Sequence, residues 1–475
     1  MGSLNYKSLA GNLSVAFLAQ GISLCLSIVM SLLVPKVLGV EEFGYWQLFL
    51  LYASYTGFFH LGINDGVYLR YGGATREELN RKTIAAQLHV AAIIELLISV
   101  AIIAVALLGG FGEERSFVLV SVAAYAIIYN LSGYLGYVFQ AVGETKLFSF
   151  SLMVDRLVFL VPLLILLVTN STCFEPYVIS YIVSKACAFV YCAWKGRDIL
   201  FSKGLSPKTA LSETWSSMCV GIKLMIANIA SMLILGIMRF AIDAKWGIEV
   251  FGEISFSLTM TNFVLVFVSQ ASMVLFPELR RVDNSELAGL FRKMRGILGV
   301  SLPAVYLLYF PGVGLLSMWL PQYANSLHFF AYLLPVCVFD GQMSLMGTTF
   351  MKVLRRERQL LVINLAAVAV ASVGVAAGVW LAGSPEFVVL CSTLVVALRS
   401  ILSEQLLARE FCCSNWRIAA GELLVSVIFL ASALFLSPLP AIMVYMGAYI
   451  FNIIFNSREI VPLVRNVLKI RKDKK

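Results

Sequence analysis

Charged side chains recur inside the long apolar runs of this chain, and they are the residues best placed to do chemistry. A charge near the centre of a bilayer costs about 2.5 to 3.5 kcal/mol, so each one is expected to face a wet cavity or a partner. The candidates are Asp65, Arg70, Glu95, Asp155, Arg156 and Lys185 in the first half and Lys223, Arg239, Asp340 and Arg399 in the second. Glu95, Lys185, Asp340 and Arg399 are the most central and carry the strongest indication of function.

These charges predict two kinds of chemistry. Lys185, Lys223 and Arg399, if they line a cleft, would bind a phosphate or an anionic sugar, and an arginine can do so through two parallel hydrogen bonds. Glu95 and Asp340 would be acids able to take up a proton as the cleft changes access.

A structural interpretation stands beside the functional one for several of these residues. Arg70, Asp155 and Arg156 lie near predicted helix ends, where side chains can extend to the lipid headgroups. Glu95 and Lys185 could form a buried structural pair with each other, and the sequence supports that alternative as well as it supports a cavity.

The elements that must position these charges are apolar segments long enough to cross a hydrocarbon core of about 30 Å, which takes about 20 helical residues. Mean hydropathy is +0.87, 60% of residues are hydrophobic and only 13% are charged. We therefore predict an all-α polytopic membrane protein with about 14 transmembrane helices. The predicted segments are 13–35, 46–69, 84–108, 117–141, 147–169, 176–194, 215–238, 254–276, 296–318, 327–351, 360–382, 386–408, 418–437 and 440–455.

The basic residues predict the orientation of the chain. Most of the 36 Lys and Arg residues fall in alternate loops on the side of both termini, which predicts a multi-pass protein of the cell membrane with cytoplasmic termini. The net charge of +9 then requires no nucleic-acid partner. Residues 456–475 alternate apolar and basic side chains, which indicates either an amphipathic helix on the inner leaflet or a frayed end that follows the same rule.

A repeat divides the chain into two blocks. Leu38 to Gly44 reads LGVEEFG and Trp246 to Gly252 reads WGIEVFG, each in the first outside loop of a predicted six-helix block. We predict two lobes related by pseudo-two-fold symmetry about the membrane normal, although chance remains the alternative. The predicted limits are 1–200 for the first lobe, 201–214 for the linking loop, 215–410 for the second lobe, 411–455 for an appended helix pair and 456–475 for the tail.

Several functions are disfavoured by what the sequence does not contain. It has no phosphate-binding G-x-x-x-x-G-K-[ST] loop, and its three histidines are too scattered to predict a metal cluster. The predicted outside loops are short, whereas a glycan polymerase or other membrane glycosyltransferase is expected to have a large one with catalytic residues. We predict a protein that is not an enzyme and that carries no cofactor.

The run from Leu33 to Gly73, LVPKVLGVEEFGYWQLFLLYASYTGFFHLGINDGVYLRYGG, resembles the opening of bacterial polysaccharide transporters. These are the O-antigen and capsule flippases of the multidrug/oligosaccharidyl-lipid/polysaccharide superfamily. The resemblance is strongest in L-G-x-x-x-F-G-x-W and L-G-I-N-D-G-V-Y-L-R-Y-G-G, and beyond them it rests on helix layout. It implies a two-lobe carrier that moves an undecaprenyl-pyrophosphate-linked oligosaccharide to the outer leaflet. Many family members have twelve helices, so segments 13 and 14 are a partial departure. In the related lipid II flippases an extra pair helps to shape a groove for the lipid tail, and the hypothesis is that segments 13 and 14 do the same.

The resemblance also implies that Asn64, Asp65 and Arg70 are motif positions of structural or gating importance. The full set of substrate-binding candidates is Lys185, Lys223, Arg399, Arg70 and Arg239, and the ion-coupling or gating candidates are Glu95, Asp340, Asp65, Asn64 and Asp155. The expected partners are the lipid-linked oligosaccharide, membrane lipids and a glycan polymerase. The alternative function is an ion-coupled drug or small-molecule antiporter of the same fold.

Overall fold

The chain folds almost entirely into helices. The computed structural model describes residue 21 and residues 26–202, 205–279, 282, 284–413 and 416–472. The structure is 89% helical and has no strand among these residues, which confirms the predicted all-α membrane fold. By length and composition, 11 of the described helical stretches could cross a membrane. The first predicted segment, 13–35, lies mainly outside the described residues.

Most of the long helices overlap the predicted segments, although α7 covers two of them and α1 runs through the loop predicted after the first. In the first part of the chain they are α1 (Val34–Tyr55), α2 (Ile63–Tyr71), α3 (Arg81–Leu108), α4 (Glu113–Ala141), α5 (Thr145–Val168) and α6 (Glu175–Lys195). They continue with α7 (Pro207–Leu279), α8 (Asn284–Ser301), α9 (Val305–Trp319), α10 (Leu327–Gln342), α11 (Glu357–Ala377), α12 (Pro385–Glu410), α13 (Trp416–Phe435) and α14 (Pro438–Lys472). The predicted lipid contact of the tail stays a prediction, because the described side chains end before residue 457.

Glycine interrupts the longest helix within the second copy of the repeat, where the sequence predicted an outside loop. The stretch Pro207–Val268 has 62 residues, and a straight helix of that length would measure about 90 Å, three times the hydrocarbon core. Gly247 interrupts α7 with φ 84° and ψ −174°, and Gly39 interrupts α1 with φ 77° and ψ −178°. Only glycine adopts this conformation readily. The two sequence copies therefore share an unusual backbone, and each is followed by a buried phenylalanine, Phe43 or Phe251.

The predicted segment 46–69 is not one continuous helix. Helix α1 ends at Tyr55, a short 3-10 turn covers Thr56–Phe58, and α2 begins only at Ile63. Leu61 and Gly62 between them have positive φ angles of 49° and 82°. The break could not be predicted from the apolar composition of this run, because hydropathy carries no information about backbone angles.

The chain divides into two compact units, residues 1–229 and 230–475, so that the division falls within α7. The core of the first unit includes Ile63, Tyr134 and Phe139, and that of the second includes Phe291, Met346 and Phe350, all fully buried. The predicted lobe limits, 1–200 and 215–410, stay predictions.

The two C-terminal helices are built into the second unit. The chain turns at Pro303 between α8 and α9, and because proline has no N–H the carbonyl of Gly299 loses its helical donor, whereas that of Pro303 still accepts from the Tyr306 N–H at 3.1 Å. Side chains of α14 donate to both carbonyls. Tyr445 donates to the carbonyl of Pro303 at 2.6 Å, and Asn452 donates to that of Gly299 at 3.2 Å. The pair predicted as appended is therefore part of the packing of this unit.

Candidate functional site

The first unit pairs two of the predicted residues across neighbouring helices. Lys185 Nζ on α6 lies 2.6 Å from Asp155 Oδ2 on α5, and Asp155 Oδ1 accepts a hydrogen bond from Ser184 at 3.0 Å. The two charged side chains are 12% and 4% exposed. Lys185 thus pairs with Asp155 and not with Glu95, so the alternative of a Glu95–Lys185 pair does not describe this structure.

This ion pair lines a cavity of about 280 Å³ in the first unit. Tyr129, Tyr137 and Gln140 also line it and add hydroxyl and amide groups to the charged pair. The ammonium of Lys185 lies 5.7 Å from the centre of the Tyr129 ring, within the range of a cation–π interaction. A cavity with an ion pair, hydroxyls and aromatic faces can hold a polar group such as a sugar.

Glu95 on α3 is buried, at 1% exposure, and its surroundings differ from those of the Asp155–Lys185 pair. Neither of its oxygens accepts a hydrogen bond from a described residue. No described cation pairs with it, so its ionised form would be an uncompensated buried charge. This environment agrees with the predicted proton-carrying role without testing it.

The glycines of the L-G-I-N-D-G string bring α2 and the first part of α7 into backbone contact. A Cβ added at Gly66 would lie 1.9 Å from the carbonyl oxygen of Ser217, and one at Gly221 would lie 2.0 Å from that of Gly62. Real Cβ atoms do not come this close, so only glycine fits at both helices. Small residues that allow such an approach are common where membrane helices cross.

Of the polar residues of the same string, Arg70 contacts α7, while Asn64 and Asp65 contact other parts of the first unit. Arg70 donates to the Glu213 carboxylate at 2.7 Å and to the Ser217 hydroxyl at 2.8 Å, both on α7. Asn64 donates to the carbonyl of Asn130 at 3.1 Å. Asp65 is buried and lies 3.8 Å from the His60 ring. The contacts of Arg70, Asn64 and Asp65 are with the protein itself, and their structural or gating role stays a prediction.

The second unit pairs its deepest predicted charges. Arg399 on α12 donates to Asp340 on α10 and, at 3.0 Å, to Ser231. Arg399 is 3% exposed, whereas the Asp340 side chain is 38% exposed, so the acid faces the more open side of the pair. Arg239 donates to Ser255 at 3.1 Å, and its guanidinium lies 5.1 Å from the Phe251 ring.

Lys223 differs from Lys185 and Arg399, the other two residues predicted to bind a phosphate or an anionic sugar. Its side chain on α7 is exposed, and no carboxylate in the described part of the chain pairs with it. Lys185 and Arg399 each have an acid already in place. An anionic ligand would therefore meet a free positive charge at Lys223, but would have to displace Asp155 or Asp340 to gain the full charge of the others.

The largest buried charge cluster was missed by the sequence analysis. Arg295 on α8 makes two parallel hydrogen bonds to Glu422 on α13, at 2.6 and 2.5 Å, and its Nε lies 2.8 Å from Glu404 Oε2 on α12. All three side chains are fully buried. The sequence offered two indications of this cluster, because Glu404 and Glu422 are acids inside predicted apolar segments. Arg295 was hidden because it falls just before the predicted segment 296–318.

An ionic network also lies outside the membrane-spanning helices. Arg76, in the loop before α3, donates to Asp198 and Glu144 at 2.6 Å each. Burial alone would raise the pKa of Asp198, but the hydrogen bonds and the positive charge of Arg76 outweigh burial and lower this pKa. The same hydrogen bond raises the pKa of Arg76. This network ties the loop after α2 to the loop after α4 and to the short helix Arg197–Leu200.

Comparison with known proteins adds evidence on the fold. No protein-family model matches the chain, and no curated protein matches it in sequence. An inward-facing multidrug resistance MATE family transporter of the MOP superfamily superposes with a TM-score of 0.61 at 12% identity, over 84% of this chain and 94% of that one. The Vibrio cholerae MATE transporter VcmN gives 0.53 at 14% identity, over 85% and 97%.

A lipid flippase is also among the similar structures. The lipid II flippase MurJ, in an inward closed conformation, gives a TM-score of 0.59 at 12% identity, over 95% of this chain and 99% of that one. Identities this low show the fold alone. The chain is a multi-pass membrane protein with the fold of transporters and flippases of the MOP superfamily.

Proposed function

We propose that the protein is a flippase that moves an undecaprenyl-pyrophosphate-linked oligosaccharide from the cytoplasmic to the outer leaflet for surface polysaccharide synthesis. The observation that carries this proposal is the extent of the structural match. The lipid II flippase matches 95% of this chain, whereas the multidrug transporter matches 84%. Together with the resemblance of residues 33–73 to polysaccharide transporters, this favours a lipid-linked cargo.

The cavity beside Asp155 and Lys185 supports a saccharide cargo. The ion pair is neutral as a whole, and hydroxyl and amide groups surround it. Such a site can exchange hydrogen bonds with sugar hydroxyls without burying a net charge. Lys223, exposed and without a described acid partner, is the better candidate for the pyrophosphate.

An apolar groove between α13 and α14 supports a lipid-linked cargo. It has a volume of about 300 Å³ and is lined by Ala420, Leu424, Ile428, Ala448 and Phe451 among others. In this proposal the groove holds part of the polyprenyl tail. Its walls are fixed in place because α14 bonds to the turn at Pro303 and α13 bonds to Arg295.

The proposed mechanism is alternating access, in a plasma or inner membrane with both termini cytoplasmic. In this proposal the protein itself performs no catalysis and needs no cofactor, and a glycan polymerase uses the delivered oligosaccharide. Glu95 and Asp340 are the proposed proton-coupling groups, and the crossing of α2 and α7 at Gly66 is a proposed gate.

The proposal is tested by mass spectrometry of lipid-linked glycans in a strain that lacks the gene, together with detection of its surface polysaccharide. We expect accumulated undecaprenyl-pyrophosphate oligosaccharide and loss of the surface polymer, and both should revert when the wild-type gene is returned. Unchanged glycans would reject the proposal.

The groove has its own test. Ala448→Trp would fill it and should reduce complementation of the deletion strain. The matched control is Val427→Trp on α13, because Val427 is 60% exposed and is not among the residues that line the groove. Equal complementation by both variants would remove the groove from the mechanism.

An ion-coupled small-molecule antiporter is the second candidate. It is favoured by the TM-score of 0.61 with a multidrug transporter and by the unpaired buried carboxyl of Glu95. It predicts normal lipid-linked glycans in the deletion strain but greater sensitivity to cationic drugs. Glu95→Gln should reproduce that sensitivity.

A further inference from the structure

The cluster of Arg295, Glu404 and Glu422 contains more negative than positive groups. One guanidinium faces two carboxyl groups, and all three side chains are fully buried. If both acids were ionised, the cluster would hold one uncompensated negative charge in a dry interior. Removing such a charge from water costs several kcal/mol.

The two acids are not equivalent. Glu422 receives the bidentate hydrogen bonds of Arg295 and a further one from the Gln342 amide. It has the surroundings of a well-stabilised carboxylate. Glu404 lies near Arg295 Nε, but neither of its oxygens accepts a hydrogen bond of normal geometry from the described residues.

A second polar group at the cluster also has an unpartnered atom. The Oε1 atom of Gln342 is buried and has no donor among the described residues. Its amide nitrogen donates to Glu422, so turning the amide over would place its oxygen against a carboxylate. A carboxyl group gains a donor when it takes up a proton.

The remaining groups around the cluster are neutral. Tyr306 on α9 shares a hydrogen bond with Ser426 at 2.8 Å, and Cys337 on α10 and Tyr445 on α14 lie near Tyr306. Arg295 on α8, Glu404 on α12 and Glu422 on α13 are thus the charged groups that face one another here among the described residues.

We propose that this cluster is a proton-binding site, with the proton on Glu404 and an ionised Arg295–Glu422 pair beside it. Proton uptake makes the cluster neutral, and proton loss leaves a net negative charge among α8, α12 and α13. Binding therefore stabilises the attachment of α13, and with it the wall of the apolar groove. The inference concerns the protein alone and does not depend on the identity of the cargo.

Infrared spectroscopy of the purified protein tests the site, since a protonated carboxyl group has a carbonyl band separate from that of a carboxylate. The difference spectrum between wild type and Glu404→Gln should show the loss of one such band. Other buried acids are present in both samples and cancel. Glu410→Gln is the matched control, because Glu410 is on the same helix but is exposed and paired with Arg356. It should leave the band unchanged.

A second variant separates a bound proton from a simple ion triad. In Glu422→Gln, Glu404 becomes the only acid facing Arg295 and should ionise, so the same band should disappear although Glu404 is intact. Glu404→Gln resembles the protonated state and should keep the wild-type melting temperature, whereas Glu422→Gln should lower it. The proposal is overturned if Glu404→Gln leaves the band in place, if it prevents folding, or if the band persists in Glu422→Gln.

Discussion

The Asp155–Lys185 pair and the Arg295 cluster both join a cation to carboxyl groups, but in different surroundings. The first lies in the wall of a cavity, and the second is enclosed by four helices with no exposure. An ion pair beside a cavity can exchange one partner for a ligand at modest cost. A fully buried one cannot, because any separation leaves a desolvated charge. In our proposals the first is therefore a ligand site and the second a packing and proton site.

The largest expected effect comes from Arg295→Met. This change leaves two buried acids without their cation, and breaking a buried pair in this way costs about 3 to 5 kcal/mol. We expect a large loss of folded protein in detergent, measured by size-exclusion chromatography and by thermal unfolding.

Arg356→Met is the control for that change. Arg356 and Glu410 form an ion pair whose side chains are 43% and 45% exposed, and such pairs contribute about 1 kcal/mol or less. If the two variants were equally stable, the buried cluster would not be a packing element, and the contrast between the two sites would fail.

The next effect is on transport and not on stability. Replacing both partners of the cavity pair, with Asp155→Asn and Lys185→Gln together, leaves no buried charge unpaired and should preserve folding. Arg156, which lies 4.0 Å from Asp155, loses a partner too, but its side chain is 36% exposed. If a charged partner contributes about 1.5 to 3 kcal/mol to cargo binding, transport should fall about 10- to 100-fold. The rate of lipid-linked oligosaccharide transfer in reconstituted vesicles measures this.

The same double variant has an outcome that would contradict the comparison. A folded protein with the wild-type transport rate would make the cavity pair structural, like the Arg295 cluster. Lys223→Gln extends the test, since it removes an exposed cation and should weaken transport without any change in the melting temperature.

Hydropathy was sufficient to predict most helices, because crossing a bilayer demands long apolar runs. The repeat was also informative, since Gly39 and Gly247 proved to have the same rare backbone conformation. The break at Gly62 was not visible, because it occurs inside an apolar run. Composition reports burial in lipid, but it does not report where a helix turns.

The partners of the charges could not be predicted. Lys185 could have paired with Glu95 or Asp155, and the choice depends on which faces of α3, α5 and α6 meet. Arg295 was assigned to a loop because basic residues near segment ends usually lie there. In the structure Arg295 is held inside the protein by its ion pair with Glu422, a residue far from it in sequence. Tertiary packing, which a single sequence leaves open, determines both outcomes.

A smaller effect compares the two copies of the repeat directly. Gly39→Ala and Gly247→Ala should each destabilise the protein by about 1 to 3 kcal/mol, because the conformation is essentially restricted to glycine. A Cβ at either position meets nothing within 4 Å, so the cost is in the backbone alone. Thermal unfolding measures it. Gly314→Ala, inside α9 with equally open space, is the control and should be neutral or stabilising. Clearly unequal losses in the two copies would contradict their structural equivalence.

The smallest effect is expected outside the membrane helices, at the Arg76–Asp198 bridge. The folded protein lowers the pKa of Asp198, so the bridge contributes stability above the unfolded-state pKa and loses it as the pH falls through the folded-state value. Its side chains are 22% and 26% exposed, and we expect Asp198→Asn to cost about 1 kcal/mol or less at neutral pH and nothing in acid. Melting temperatures over an acid-to-neutral series measure this difference, with the exposed Glu77→Gln as control. A loss that persists unchanged into acid would show that Asp198 acts through packing. The contrast with Arg295 would then no longer be one between a solvated and a buried ion pair.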